Sequence, residues 1–138
     1  MPDADSFNVH PIGRIESPLN DLAVAPKQGI EGAPEAWLAL DPEMGPGLRD
    51  LLVGSNILVL TWLDRASRDV LSVYPRGEAN HGERGVFSTR SPSRPNPIGL
   101  HPVEILSIDG TRLRVSNMEA VDGTPILDIK PVLDSERR

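Results

Sequence analysis

The strongest chemical signature in this chain lies in one run, TRSPSRPNPIGL, at residues 89–100. Arg90, Arg94 and Asn96 are interleaved there with Pro92, Pro95 and Pro97. Proline fixes φ and lacks a backbone N–H, so no helix interior or central strand runs through such a stretch. The loop is therefore ordered in advance, and its polar side chains hold fixed positions before any ligand arrives. A rigid guanidinium suits a carboxylate or a phosphate, which its planar fork binds bidentately. The plainer reading is a proline-rich crossover whose arginines point to water, with Arg94 and Asn96 holding the loop together. A second run, VDGTPILDIKP at 121–131, offers Asp122 as an acceptor and a Gly123–Thr124 backbone open to a flat ligand. Its plainer reading is an Asp-Gly turn leading into a strand.

Other chemistries find little support. There is no cysteine, which removes thiolate nucleophiles, disulfides and Cys-ligated zinc together. His10, His81 and His101 lack metal-ligand spacing, so solvated or structural roles and no metal site are expected. No G-x-S-x-G marks a hydrolase nucleophile, and no G-x-G-x-x-G links a strand to a helix. The net charge of −6 argues against general nucleic-acid affinity. Its distribution is uneven, however. From Arg65 to Arg94, six arginines face Asp69, Glu78 and Glu83, a local +3 that leaves −9 for the remainder.

The elements that must position these runs read as short strands. FNVHPIGRIES suggests a strand interrupted at Pro11, EAWLAL a short one, and SNILVLTWL at 55–63 the strongest. DVLSVYP and GVFST are further short strands. PVEILSI and TRLRVSN flank Asp109-Gly110, a pair suited to a type I′ hairpin turn, and ILDIKPVL is the last strand. In DPEMGPGLRDLL, Asp41 is placed to cap a short helix that buries Leu48, Leu51 and Leu52. Many short strands, one short helix and no βαβ alternation indicate an all-β barrel or closed sandwich. With aromatic residues at 4%, its core must be aliphatic. The length of 138 residues fits one domain, 1–138, with frayed ends expected at 1–6 and 134–138. No secretory signal and no run long enough to span a membrane appears, so a cytoplasmic protein is expected.

Taken together, GVFSTRSPSRPNPIGL and DGTPILDIKP resemble the TsaA-like, or TrmO-like, family. IGRIESP at 12–18 and APKQGI at 25–30 are similar to that family's opening strand and its VPRQ-type segment, so the resemblance covers residues 9–133. It implies a small, mostly antiparallel β-barrel that pairs as a homodimer. It also implies S-adenosylmethionine as cofactor and N-methylation of threonylcarbamoyladenosine in the tRNA anticodon loop. Carried onto this chain, the cofactor contacts are Pro26, Lys27, Gln28, Asp64, Arg65, Arg90, Leu100 and the turn of Asp122, Gly123, Thr124 and Pro125. Arg90 would fix a charged group, and Asp64 or Asp122 would serve if a base is needed. Two departures bear on the substrate. Asp64-Arg65 stands where His-Gln or His-Arg is common, and the sequence stops short of the C-terminal extension that assists tRNA binding in bacterial members. A small-molecule methyltransferase and a non-enzymatic cofactor-binding dimer therefore stay open as alternatives.

Overall fold

The computed structural model describes residues 5–19, 33–74 and 82–133, and eight strands lie among them. They are β1 (Gly13–Glu16), β2 (Ala36–Leu40), β3 (Asn56–Trp62), β4 (Ser72–Val73), β5 (Arg84–Gly85), β6 (Ile98–Asp109), β7 (Arg112–Val115) and β8 (Pro125–Pro131). Six of them form an antiparallel ring in the order β1-β2-β7-β6-β3-β8, closed by the pairing of β8 with β1. β4 and β5 form a separate two-stranded sheet.

Along β1, β2, β3, β7 and the first part of β6, one residue in two points inward, as the two-residue period of a strand requires. Ile15, Leu38, Ile57, Val59, Ile105, Leu113, Val115 and Ile126 fill the interior. Each such side chain withdrawn from water contributes roughly 1.5–3 kcal/mol. The core is aliphatic, as the composition requires. The two tryptophans lie on the outer surface, each under a guanidinium: Arg112 stands 5.0 Å from the Trp37 ring and Arg68 5.1 Å from that of Trp62.

Register brings three strands together at one end of the ring. Thr61 of β3 pairs with Gly99 of β6 and with Ile126 of β8, and Leu60 pairs with Leu100 and Asp128. The β3–β8 ladder shifts between Leu60 and Thr61, a bulge of the kind that bends a strand beside a site. β6 also runs through Pro102. Its pairing with β7 begins only at Ile105, so the missing N–H leaves no ladder bond unmade there.

Several expectations shift. Residues 42–48 form a 3₁₀ helix with no side-chain cap from Asp41, because Gly45-Pro46-Gly47 withdraws both propensity and a donor. Leu48 and Leu51 still pack against the core, but Leu52 is 67% exposed. GVFST is not a strand: β5 ends at Gly85, and a 3₁₀ turn follows at Val86–Ser88. In FNVHPIGRIES only Gly13–Glu16 is strand, while Phe7 and Val9 are exposed. The hairpin turn moves by one residue. Asp109 stays paired with Arg112, leaving Gly110-Thr111 as the loop, with a positive φ at Gly110 alone. That is the type II′ pattern, with glycine first. No helix among the described residues is long and apolar enough to cross a membrane.

Candidate functional site

Two loops meet where β3 ends and β6 begins, and named hydrogen bonds join them. Leu63 N–H donates to the Pro97 carbonyl at 2.8 Å, and Arg94 N–H to the Ser67 carbonyl at 3.0 Å. Arg68 donates through Nε to the Pro95 carbonyl at 2.8 Å and through a terminal nitrogen to Asn96 Oδ1 at 3.0 Å. The Arg94 guanidinium turns back into its own loop and donates to the carbonyls of Val86 and Thr89. Arg94 and Asn96 therefore hold the loop, the plainer of their two readings. Arg68 shares that work. Nearby, the Ser67 hydroxyl donates to Asp69, and this bond holds the Asp69 carboxyl below its ordinary pKa.

Arg90 behaves differently. It is exposed and makes no hydrogen bond or ion pair among the described residues. The rigid loop thus presents one uncommitted guanidinium at its entrance. Asp64 and Arg65 lie exposed in the opposing loop, and Leu100 faces outward from β6 at 38% exposure.

The turn before β8 lies at the same end. Thr124 N–H and hydroxyl both bond to the Val121 carbonyl, at 3.2 and 2.7 Å, closing a turn with φ of 84° at Gly123. A type II turn requires that sign of φ at its third position, hence glycine. Asp122 Oδ1 accepts the Ser17 N–H at 3.0 Å, and Arg14 donates to the Gly123 carbonyl at 3.1 Å. Asp122 is exposed, whereas Thr124 and Pro125 are buried. An open cleft of about 710 Å³ adjoins the turn, bounded by Glu16, Ser17, Glu35, Trp37, Arg114 and Asp122. Volumes of this order suit a nucleoside-sized ligand.

The register therefore draws Asp64, Arg65, Arg90, Leu100 and Asp122–Pro125 to one end of the ring from three separate parts of the sequence. Pro26, Lys27 and Gln28 lie outside the described residues, as does His81. Among the described residues, no group of three or more His, Asp or Glu stands ready to hold a metal ion. His101, expected to be solvated or structural, is buried next to Leu100 on β6, and its Nδ1 meets the partly buried Glu119, which the sequence reading left out. The available signal was the strand period, which turns a histidine inward at position 101.

The family model of the tRNA-methyltransferase O N-terminal domain matches residues 14–136. The chain belongs to this family. An S-adenosyl-L-methionine-binding protein of Archaeoglobus fulgidus is 48% identical over 120 residues, covering 87% of this chain and 85% of that protein. A probable S-adenosyl-L-methionine-binding protein of the same organism is 46% identical over 120 residues, yet this chain covers only 32% of it. The fold also matches the crystal structure of TrmO from Pseudomonas aeruginosa, with a TM-score of 0.77 and 30% identity over 99% of this chain. The chain spans 59% of that TrmO chain.

Proposed function

We propose that this tRNA-methyltransferase O domain binds S-adenosylmethionine at the end of its barrel and methylates threonylcarbamoyladenosine in the tRNA anticodon loop. The observation that carries this reading is the gathering of Arg90, Leu100 and the Asp122–Pro125 turn at one end of the ring, where Asp122 also borders the open cleft of about 710 Å³. The donor set suits the cofactor: an uncommitted guanidinium for a carboxylate, a glycine turn that admits close backbone approach, and acceptors for amines. When bound, S-adenosylmethionine supplies a sulfonium methyl already activated toward an in-line nucleophile. The chain's own work is then chiefly orientation. Arg90 holds a charged group, the turn at Gly123 borders the purine, and Asp64 or Asp122 takes up the proton released from the methylated nitrogen. Asp122 keeps Oδ2 for that task while Oδ1 holds Ser17.

The same reading includes a homodimer. Leu58, Leu60 and Trp62 of β3 and Ile98 and Leu100 of β6 make an apolar strip on the outer face, with Ile98 at 43% and Leu100 at 38% exposure. A second copy covering this strip would bury Leu100 beside the cofactor, and twofold pairing is the commonest closed assembly.

A small-molecule substrate is the second reading, favoured by one observation. Of the six arginines behind the local +3, Arg68 and Arg94 are committed to loop carbonyls and are not free to meet phosphates. Mass spectrometry of tRNA nucleosides from cells with and without the protein separates the two. Loss of methylated threonylcarbamoyladenosine supports the tRNA reading; an unchanged nucleoside profile moves the assignment to the small molecule.

A further inference from the structure

Inside the barrel, one polar chain is unused by the reading above. His101 is 3% exposed and follows Leu100 on β6. Its Nδ1 lies 2.8 Å from Glu119 Oε1, and its Nε2 lies 2.7 Å from Thr61 Oγ1. An ionised carboxylate only accepts, so Nδ1 carries the hydrogen; a neutral ring then accepts the Thr61 hydroxyl at Nε2. Gly99 keeps the space open. A Cβ there would stand 2.4 Å from Thr61 Oγ1 and 2.6 Å from His101 Nε2.

The second oxygen of Glu119 is the anomaly. Oε2 is buried and has no hydrogen-bond partner among the described residues. Folded proteins rarely leave a buried acceptor without a donor, and a charged one least of all. Holding His101 needs one acceptor, which Oε1 already provides. Arg94 Nε is also buried and unpartnered among the described residues, but its guanidinium is accounted for by the loop carbonyls. Glu119 has no such account. Its position is suggestive: Glu119 precedes Asp122 by three residues, Thr61 precedes Asp64 by three, and His101 adjoins Leu100. Through its 2.8 Å contact with His101, the carboxylate lies beside the stretch of β6 that carries Leu100, at the end of the ring where the proposed cofactor residues gather.

We propose that Glu119 Oε2 is the seat of a ligand N–H donor, an ammonium or an exocyclic amine, at this end of the barrel. His101 and Thr61 hold the carboxylate in position for it. The inference rests on the reading that this end holds S-adenosylmethionine, which carries both kinds of donor, on its amino-acid part and on its adenine.

Calorimetry on the full chain with three stable probes tests this. S-Adenosylhomocysteine keeps both donors, 5′-methylthioadenosine lacks the ammonium, and S-inosylhomocysteine lacks the purine amine. Glu119→Gln keeps shape and an acceptor for Nδ1–H, but sets an NH₂ where the donor belongs. The expected result is about a tenfold to hundredfold loss of S-adenosylhomocysteine affinity, the size of one hydrogen bond to a charged group. The melting temperature of the ligand-free variant should not fall. The loss should shrink to within about twofold for one truncated probe, and that probe identifies the donor. Equal affinity of wild type and variant for S-adenosylhomocysteine overturns the proposal. So does an equal loss for both truncated probes, which marks an effect on shape. If the glutamine variant does not fold, Glu119→Asp, which withdraws the charge by one methylene, faces the same comparison. Failure of the wild type to bind S-adenosylhomocysteine or S-adenosylmethionine overturns the cofactor reading itself, a result distinct from either of these.

Discussion

Gly99→Ala puts a methyl group into the Thr61–His101 contact, at 2.4 Å from one partner and 2.6 Å from the other. Neither has room to yield: Thr61 is fully buried, and His101 is fixed at its far nitrogen by Glu119. Overpacking a core of this kind costs about 1–3 kcal/mol. Breaking the hydrogen bond while both groups stay buried adds about 1–3 kcal/mol. The expected loss is therefore roughly 2–6 kcal/mol. At about 2.1 cal/mol/K per residue, unfolding 138 residues releases roughly 290 cal/mol/K, so the melting temperature should fall by roughly 7–21 °C. Gly123→Ala provides the contrast. Nothing lies within 4 Å of its added Cβ, and only the φ of 84° is strained, which costs roughly 1–2 kcal/mol, or about 3–7 °C. Scanning calorimetry under reversible conditions measures both. In a Thr61→Ala background the clash at Oγ1 is gone, so Gly99→Ala should cost distinctly less. A drop below about 3 °C for Gly99→Ala alone, or strict additivity in that cycle, would refute the packing argument.

Arg90→Ala should weaken S-adenosylmethionine binding about tenfold by calorimetry, the scale of a lost charged hydrogen bond. Arg49→Ala, beyond the opposite end of the barrel, should leave it unchanged; Arg112 is no neutral control, because it pairs with Glu16 at 2.7 Å and covers Trp37. Arg68→Ala should lower the melting temperature and loosen the 94–97 loop, seen as faster amide exchange at Leu63 and Arg94; unchanged exchange would show that the guanidinium adds nothing to the loop. Leu100→Asp should convert a dimer into a monomer by light scattering at micromolar concentration, and a variant still dimeric would place the interface elsewhere. The lowered Asp69 pKa means that its bond to Ser67 stabilises the fold above the unfolded carboxyl's pKa and is lost as pH falls through the folded value. An NMR titration should accordingly give Asp69 a midpoint below that in Ser67→Ala.

The strands were legible for two reasons: a wet and a dry face print a period of two onto PVEI, and NILVLTW is apolar on both faces. The short helix expected in 41–52 is present only as the 3₁₀ helix at 42–48, because Leu48, Leu51 and Leu52 keep helical spacing while Gly45, Pro46 and Gly47 withhold the propensity and donor to extend it. The turn at Gly110 was one residue off because a pairing register is a contest between neighbouring ladders, which local composition does not record. At the site, the proline-rich loop and the Asp-Gly turn announced themselves by composition. Loop-holding and ligand-facing arginines did not separate, since Arg68, Arg90 and Arg94 look alike until their partners are seen. Glu119 was invisible for a related reason. Its partner stands 18 residues away and His101's other partner 40, distances that only the closed ring converts into contact.

That ring closes through its narrowest ladder. β1 meets β8 at only two registered pairs, Gly13 with Ile126 and Arg14 with Pro125, while β3 meets β6 at seven. The β1–β8 contact also joins the strands farthest apart in sequence, so its loop-closure cost is the largest in the fold. β1 should therefore dock last during folding and lift away first during thermal opening, making this seam the weak point of the cylinder. Its latch is the Asp-Gly turn, where Ile15 donates to the Thr124 carbonyl at 2.9 Å and accepts from Gly123 N–H at 2.7 Å. A ligand that grips the turn would also hold the barrel shut, and the Ile15 amide would report its arrival by slower exchange with deuterium.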